Sequence, residues 1–244
     1  ISHIHGDHLF GLFGLLSSMS LIGRTEDMFI YAPGEFGPIL KFFIKTFGEQ
    51  FKFKVIHTPL KMKAPELIFE SKSTEVLAFP LNHRIECYGF IFREKSPKRN
   101  IHKYLIEKHS LTLAEIAKLK DGFDITREDG EVLPNEKLTY LPYIPRSFAY
   151  CSDTAPFEKL PEYIKGVTLL YHEATFMNDM EQMAKETFHS TAFQAADTAF
   201  KAGVHKLLVG HFSSRYTDLK PLLEEARLIF PNTFLANEGT EIEL

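Results

Sequence analysis

Cysteine is scarce in this sequence of 244 residues, which contains only Cys87 and Cys151, and the two do not form a CxxC pair. This scarcity argues against a disulfide scaffold and against a zinc site built from thiolates, and it is typical of proteins in a reducing compartment. Long apolar runs are also missing, since none reaches the roughly 18 residues that a membrane-spanning helix needs. The sequence shows no signal-peptide pattern. We therefore expect a cytoplasmic protein without a membrane partner.

An excess of positive charge is absent as well. The formal net charge is −4, so the chain lacks the overall basic character of many nucleic-acid-binding proteins, and an RNA partner would need local basic patches. Hydrophobic residues make up 44% of the chain and charged residues 25%, which is the usual balance of a globular protein with a buried core. Internal repeats and low-complexity tracts are not found.

Strand-like and helix-like segments alternate along most of the chain, which predicts an α/β fold. Apolar runs of strand length occupy 28–33, 147–154, 167–176 and 206–213, and the last three end in polar residues. Amphipathic helices are predicted over 35–51, 190–203 and 219–230. In the second helix, Ser190 or Thr191 is the expected N-cap and Gly203 the expected end, with Phe193, Ala196 and Phe200 on one face.

Residues 93–146 interrupt this alternation. Residues 95–109 contain five basic side chains against one acidic side chain, and turn-forming stretches with several prolines follow them. We expect residues 1–244 to form one domain that carries an insertion or arm at about 93–146.

Three histidines and an aspartate lie within six positions in the stretch SHIHGDH, residues 2–8. Imidazole and carboxylate ligands together suit zinc, and also manganese or iron. Side chains two positions apart project to the same side of an extended strand, so His3 and His5 face one point. Asp7 and His8 lie beyond Gly6 and face a second point. The spacing therefore indicates a strip of ligands for two metal ions.

Two ions need more ligands than four, and three further candidates follow apolar segments, namely His83, Asp153 and His211. Taken alone, Asp153 fits a turn or a helix cap, but together with six partners a bridging carboxylate is favoured. A ligand cluster normally follows a strand that presents it, so we also expect an N-terminal segment upstream of Ile1 to be missing from this sequence.

The order HxHxDH, a lone histidine, an aspartate after a strand and a final histidine resembles the ligand order of the metallo-β-lactamase superfamily. The motifs SHIHGDHLFGLFGLL, CSDT, HEATF, HST and GHFSSRY extend from residue 2 to residue 216 and resemble the ribonuclease Z family of tRNA 3′-processing endonucleases. HxHxDH alone specifies the superfamily, whereas HEATF and HST narrow it to this family. The resemblance implies the four-layer αβ/βα sandwich of the superfamily, with its first strands absent from this sequence.

The resemblance also implies a ligand set for two zinc ions, which manganese or another divalent ion could replace. One zinc would be held by His3, His5 and His83, the second by Asp7, His8 and His211, and Asp153 would lie between them.

Catalytic roles are implied in the same way. His189 of HST would protonate the leaving group, and Glu173 of HEATF would orient the His189 ring. Asp7 would accept a proton from the attacking water. His172 fits a structural role equally well, and Arg215 fits either a phosphate contact or a surface ion pair.

The family resemblance implies that the substrate is precursor tRNA and that the enzyme is a homodimer. Cleavage near the discriminator nucleotide would leave a 3′-hydroxyl on the tRNA and a 5′-phosphate on the trailer. The expected phosphate contacts of the arm are Lys98, Arg99 and Lys103. The Gly-Pro tip of the family's bacterial arms is not found in 93–146, and PKRN at 97–100 only partly matches the basic loop motif of some relatives.

Two other functions stay open at this point. Another hydrolase of the superfamily, acting on small phosphodiesters, sulfate esters or lactams, would share the metal site but have no use for the basic arm. A non-catalytic RNA-binding module is disfavoured by the complete ligand set. A purely structural zinc site is disfavoured because such sites are closed and usually rich in cysteine.

Overall fold

The computed structural model describes residues 1–48 and 51–244 and divides them into two compact units. The main unit contains 1–70, 75–92 and 147–244, and the second unit, here called the arm, contains 71–74 and 93–146. No helix in the described ranges is long and apolar enough to cross a membrane.

The first part of the chain forms a helical layer beside a short parallel sheet. Its elements are helix α1 (Gly6–Leu21), strand β1 (Met28–Pro33), helix α2 (Phe36–Phe47) and strands β2 (Val55–Leu60), β3 (Glu66–Glu70), β4 (Thr74–Pro80) and β5 (Tyr88–Glu94). β1 pairs with β2 in parallel, which confirms the predicted strand 28–33. The helix predicted over 35–51 starts at Phe36 and ends at Phe47, and positions 49 and 50 lie outside the described residues.

The arm has its own small core. Its elements are β6 (Asn100–Ile101), α3 (Lys103–Lys108), α4 (Leu113–Lys120), β7 (Ile125–Thr126), β8 (Val132–Leu133), α5 (Asn135–Leu138) and β9 (Thr139–Tyr140). Two short antiparallel pairs, β6 with β9 and β7 with β8, hold the segment together. Buried side chains such as Leu105, Leu119 and Leu138 fill its centre.

The last part of the chain completes a mixed sheet. Its elements are β10 (Ser147–Cys151), α6 (Leu160–Tyr163), β11 (Leu169–Glu173), α7 (Glu181–Thr187), α8 (Ala192–Ala202), β12 (Lys206–Gly210), α9 (Lys220–Ile229) and β13 (Thr233–Leu235). The strand order is β13-β12-β11-β10-β5-β4-β3. The strands β10 to β13 are mutually parallel, whereas β3 and β4 are antiparallel. This arrangement confirms the predicted α/β class.

Helix α8 packs through small side chains. Thr191 is the N-cap and forms a capping box with Gln194, and Gly203 ends the helix in the left-handed conformation, as predicted. Of the predicted face, only Ala196 is buried, whereas Phe193 and Phe200 are 39% and 66% exposed. The buried side consists largely of alanines, which allow the helix to lie close to the sheet.

Candidate metal centre and active site

Several predicted site residues follow neighbouring parallel strands. Asp153 lies two residues beyond β10, Glu173 is the last residue of β11, and His211 directly follows β12. The carboxyl ends of parallel strands lie at one edge of a sheet, so these side chains converge there. His211 has a φ of 58°, and this left-handed backbone is uncommon for a non-glycine residue and is often found at functional sites.

The motif HxHxDH lies where the chain enters α1. The Ser2 carbonyl accepts a hydrogen bond from the Tyr88 amide at 2.9 Å, which fixes the start of the motif to the main sheet. Asp7 lies in the first turn of α1, where the helix dipole favours a negative charge. Its side chain is 73% exposed.

The Asp153 carboxylate is buried between two pairs of imidazoles. Its Oδ2 lies 3.6 Å from His3 Nε2 and 3.8 Å from His83 Nε2. Its Oδ1 lies 3.5 Å from His8 Nε2 and 3.4 Å from His211 Nε2. The structure therefore places Asp153 in a buried position between two imidazole pairs rather than in a surface turn.

The remaining ligand candidates complete two clusters. His3 Nε2 lies 3.1 Å from His5 Nδ1, and His8 Nε2 lies 3.4 Å from Asp7 Oδ2. In each possible ligand group, the nitrogen and oxygen atoms lie within 4.8 Å of one another. The groups are His3, His5, His83 and Asp153; Asp7, His8 and His211; and Asp153, His189 and His211.

The protonation of His83 and His3 fits metal ligation. His83 Nδ1 donates a hydrogen bond to the Phe188 carbonyl at 3.0 Å, and within the described part of the chain its buried Nε2 has no partner. Burial lowers the pKa of His3 to about 4, although the charge of Asp153 opposes this shift. Burial also lowers the pKa of His83. The lowered pKa values favour the neutral form of both rings, and the hydrogen bond donated by His83 Nδ1 leaves a lone pair on its Nε2, which lies 3.8 Å from Asp153 Oδ2. This is the state in which histidine binds a metal ion.

Thr175 fixes the orientation of His211. Its hydroxyl lies 2.6 Å from Glu173 Oε2 and 2.9 Å from His211 Nδ1. The single hydroxyl proton is donated to the carboxylate, so Nδ1–H of His211 donates to Thr175. His211 Nε2 is then left with its lone pair facing Asp153. Such outer hydrogen bonds normally set the tautomer of a ligating histidine.

The pKa of His189 shifts in the opposite direction from the pKa values of His3 and His83. Its Nδ1 lies 2.7 Å from Glu173 Oε1. Burial alone would lower the pKa of His189, but the hydrogen bond to Glu173 and the charge of that carboxylate outweigh burial and raise it. A ring that holds both protons donates hydrogen bonds and does not ligate a metal. Its surroundings therefore suit an acid rather than a ligand.

Glu173 is fully buried and its carboxylate is held by several donors. The Thr154 amide donates to Oε1 at 2.9 Å, and the Thr175 amide donates to Oε2 at 3.2 Å. With His189 and the Thr175 hydroxyl, these donors offset the cost of burying the charge. The carboxylate is therefore a fixed support for His189 on one side and, through Thr175, for His211 on the other.

Some residues of the site were not singled out from the sequence. Thr175 is part of the HEATF motif, but nothing in the spacing shows that its hydroxyl joins Glu173 to His211. Phe188 precedes His189, has a φ of 60°, and orients His83 through its carbonyl. Arg84 lies close enough to His189 for its charge to act against protonation of that ring. Each of these positions depends on a contact across the fold.

The sequence left the roles of Arg215 and His172 open, and the two side chains have different surroundings. The Arg215 guanidinium lies 5.1 Å from the centre of the Phe176 ring, and Arg215 Nε donates to Ser213 Oγ at 3.0 Å. Phe176 in turn lies 6.3 Å from His189, ring centre to ring centre. His172 is fully buried, and its Nδ1 donates to the Glu173 carbonyl at 2.7 Å. Among the described residues, His172 belongs to none of the possible metal-ligand groups, which fits the structural role.

The basic residues predicted to contact phosphate belong to the arm. Lys98 pairs with Asp121 at 2.8 Å, and Arg99 Nε donates to Thr139 Oγ1 at 2.6 Å. Lys103 is exposed at the first position of α3 and has no ion-pair partner within the described residues. Of the three, only Lys103 is thus without such an intramolecular contact.

Several proteins named ribonuclease Z are similar to this chain over nearly its whole length. The ribonuclease Z of Bacteroides thetaiotaomicron is 45% identical over 243 residues, which cover 98% of this chain and 76% of the relative. The ribonuclease Z of Porphyromonas gingivalis is 43% identical over 245 residues, covering 100% of this chain and 80% of the relative. No protein-family model matches the chain.

Solved structures show the same fold. Human tRNase Z, short form, superposes with a TM-score of 0.68 at 23% identity over 100% of this chain and 77% of that chain. A metallo-β-lactamase fold protein from Bacillus subtilis superposes with a TM-score of 0.62 at 17% identity over 98% of this chain and 73% of that chain. The predicted metallo-β-lactamase fold is confirmed.

Proposed function

This chain belongs to the ribonuclease Z family, and we propose that it is an endoribonuclease that removes the 3′ trailer from precursor tRNA near the discriminator nucleotide. The observation that best supports this function is the hydrogen-bonded series His189, Glu173, Thr175 and His211 beside the cluster around Asp153. In this series, the buried carboxylate of Glu173 connects the proposed acid, His189, to the proposed metal ligand, His211.

The donor set fits two divalent metal ions, for which zinc is the first choice. His3, His5 and His83 would hold one ion, Asp7, His8 and His211 the other, and Asp153 would contribute to both. Two observations support this assignment. Within the described residues the buried Nε2 of His83 has no partner, and burial lowers the pKa of His3, which favours the neutral ring. When bound, such ions activate water and neutralise charge that develops on a phosphate, and manganese can serve in place of zinc.

The protein's own residues account for the proton transfers. Asp7, exposed at the start of α1, accepts a proton from the water that attacks phosphorus. His189 donates a proton to the departing 3′-oxygen as the phosphorus–oxygen bond breaks, and Glu173 holds the ring in place. The products are a tRNA with a 3′-hydroxyl and a trailer with a 5′-phosphate.

Positive side chains near His189 bind the substrate phosphates. Arg215, positioned against Phe176, and Arg84 both lie on the His189 side of the site. In the arm, Lys103 is the principal phosphate contact, and Lys98 and Arg99 contribute less because each already has a partner within the arm.

We further propose that the protein is cytoplasmic. Cys87 and Cys151 are both buried and free, as is usual for a protein of the reducing cytoplasm. We also propose that the enzyme acts as a homodimer, as implied by the family resemblance.

A cleavage assay with labelled precursor tRNA tests this function. The expected result is a cut just after the discriminator nucleotide that disappears with chelator and returns with zinc or manganese. Hydrolysis of bis(p-nitrophenyl) phosphate without any tRNA cleavage would instead favour a hydrolase of small phosphodiesters. Cleavage that persists after complete metal removal would contradict the metal assignment.

A further inference from the structure

A cavity of about 690 Å³ opens beside His189. It lies within the main unit, and its volume is in the range of small-molecule binding sites. Its walls include Asn82, Glu181, Gln182, Lys185, Phe188 and His189. The ring centres of His83 and His211 lie 5.3 and 5.4 Å from the ring centre of His189. His189 therefore both lines the cavity and adjoins the metal-ligand cluster.

We infer that this cavity is the binding site for the nucleotide that carries the leaving 3′-oxygen, the last nucleotide of the mature tRNA, with its base on the Phe188 ring. The inference rests on the proposed function, since it uses the direction of cleavage. The scissile phosphate remains with the trailer at the cluster, whereas the 3′-oxygen belongs to the upstream ribose. Because His189 must touch that oxygen and also lines the cavity, the cavity can receive the upstream nucleotide.

The lining of the cavity fits a nucleotide. The Phe188 side chain is 37% exposed, and stacking on an aromatic ring holds a base of any identity. The backbone of Phe188 is held in the left-handed conformation, with its carbonyl bonded to His83. The ring position is therefore coupled to the metal site.

Polar groups in the cavity are available to a ligand. The backbone of Asn82 is anchored by Thr154 and Ala155, but its exposed side-chain amide has no hydrogen-bond partner in the described part of the chain. Lys185 is likewise exposed and makes no ion pair among the described residues. The amide suits a base edge or a ribose hydroxyl, and the ammonium suits the phosphate on the 5′ side of the nucleotide.

The contribution of the base can be tested with two precursors that differ at one position. One carries its natural nucleotide immediately 5′ of the cut, and the other carries an abasic nucleotide there. We expect the wild-type enzyme to cleave the abasic precursor about 5- to 100-fold less efficiently, the range expected for the loss of one base–aromatic stack.

Ring variants assign the effect to Phe188. Phe188→Leu should lower kcat/KM on the natural precursor by a similar factor and should no longer distinguish the two precursors. Phe188→Tyr keeps an aromatic ring and should retain the distinction. Phe200→Leu, which removes an exposed ring on α8, serves as the matched control and should behave as wild type. Hydrolysis of bis(p-nitrophenyl) phosphate by each variant reports any damage to the metal site separately.

The outcomes separate the two proposals. Equal cleavage of both precursors by the wild type, or a base preference that survives in Phe188→Leu, would overturn the nucleotide site alone. If the wild type cuts no precursor tRNA at all, the proposed function fails and this inference fails with it.

Discussion

At the scale of single residues, His189 and its neighbours distinguish an acid from the ligands around it. His189 points one ring nitrogen at the buried Glu173 carboxylate, whereas His83 and His211 direct theirs at a carbonyl and a hydroxyl. The charge of Glu173 raises the pKa of His189 and so favours its protonated form. The neutral partners of His83 and His211 orient these rings with Nε2 towards Asp153.

His189→Ala should therefore lower kcat for precursor tRNA about 10²- to 10⁴-fold, as expected for the loss of a general acid. The metal content, measured by atomic emission on purified protein, should stay at the wild-type value. If the variant loses its metal, His189 is a ligand, as the alternative group with Asp153 and His211 would allow.

Thr175→Val tests the hydroxyl that links Glu173 to His211. The change preserves size but removes the acceptor for His211 Nδ1–H, so we expect a loss of metal affinity or activity of about 10- to 100-fold. Thr175→Ser keeps the hydroxyl and should restore most of both. A titration with a competing chelator measures the affinity, and a Thr175→Val enzyme with wild-type affinity and activity would contradict this role.

The sequence could predict the metal-ligand residues, but it could not predict the hydrogen bonds that orient them. His3, His5 and His8 are close in sequence, so their clustering follows from spacing. Asp153 and His211 were recognised because each follows an apolar strand. Thr175 and Phe188 act through one hydroxyl and one carbonyl, and such contacts depend on packing between distant segments, which no local pattern reports.

At the scale of elements, strands were easier to predict than their ends. The runs 147–154 and 167–176 contain β10 and β11, but β10 ends at Cys151 and β11 ends at Glu173. The residues that follow each strand are also buried, including polar ones such as Asp153 and Thr175, so burial does not mark the strand ends. In α8, burial of alanines rather than phenylalanines reflects how close the helix lies to the sheet, a property that periodicity alone does not reveal.

The arm depends on one buried polar residue. Asn135, 6% exposed, donates from its side chain to the carbonyls of Leu119 and Phe123 and accepts from the Thr139 hydroxyl. It thereby joins α4, the following turn and β9. Without this amide, the carbonyls of Leu119 and Phe123 and the Thr139 hydroxyl would each lose one hydrogen bond.

Asn135→Ala should destabilise the arm by about 1–3 kcal/mol, because the hydrogen bonds that are lost contribute about 0.5–1.5 kcal/mol each. Amide hydrogen exchange should show faster exchange in α4 and β9, with strands β10 to β12 of the main unit unchanged. Asn100→Ala, at an exposed position in β6, is the matched control and should leave exchange as in the wild type. Equal protection of α4 in Asn135→Ala and wild type would show that the amide is not required.

At the scale of the whole molecule, electrostatics opposes the proposed substrate. The chain has a net charge of −4, so tRNA must be attracted by local positive groups rather than by the overall field. The need for local basic patches could be predicted from the composition alone. Which lysines remain unpaired depends on folding, since the arm uses Lys98 and Arg99 for its own contacts.

Salt dependence of tRNA binding separates the arm's basic residues from one another. Each lost phosphate contact reduces the slope of log Kobs against log salt concentration by about 0.7–0.9. Lys103→Ala should show this full reduction, because Lys103 has no ion-pair partner among the described residues. Lys98→Ala should show a smaller one, because Asp121 already neutralises Lys98. Lys165→Ala, at an exposed position of the main unit, is the control and should keep the wild-type slope. Filter binding over a series of salt concentrations measures all three, and a wild-type slope in Lys103→Ala would remove this residue from the tRNA contact.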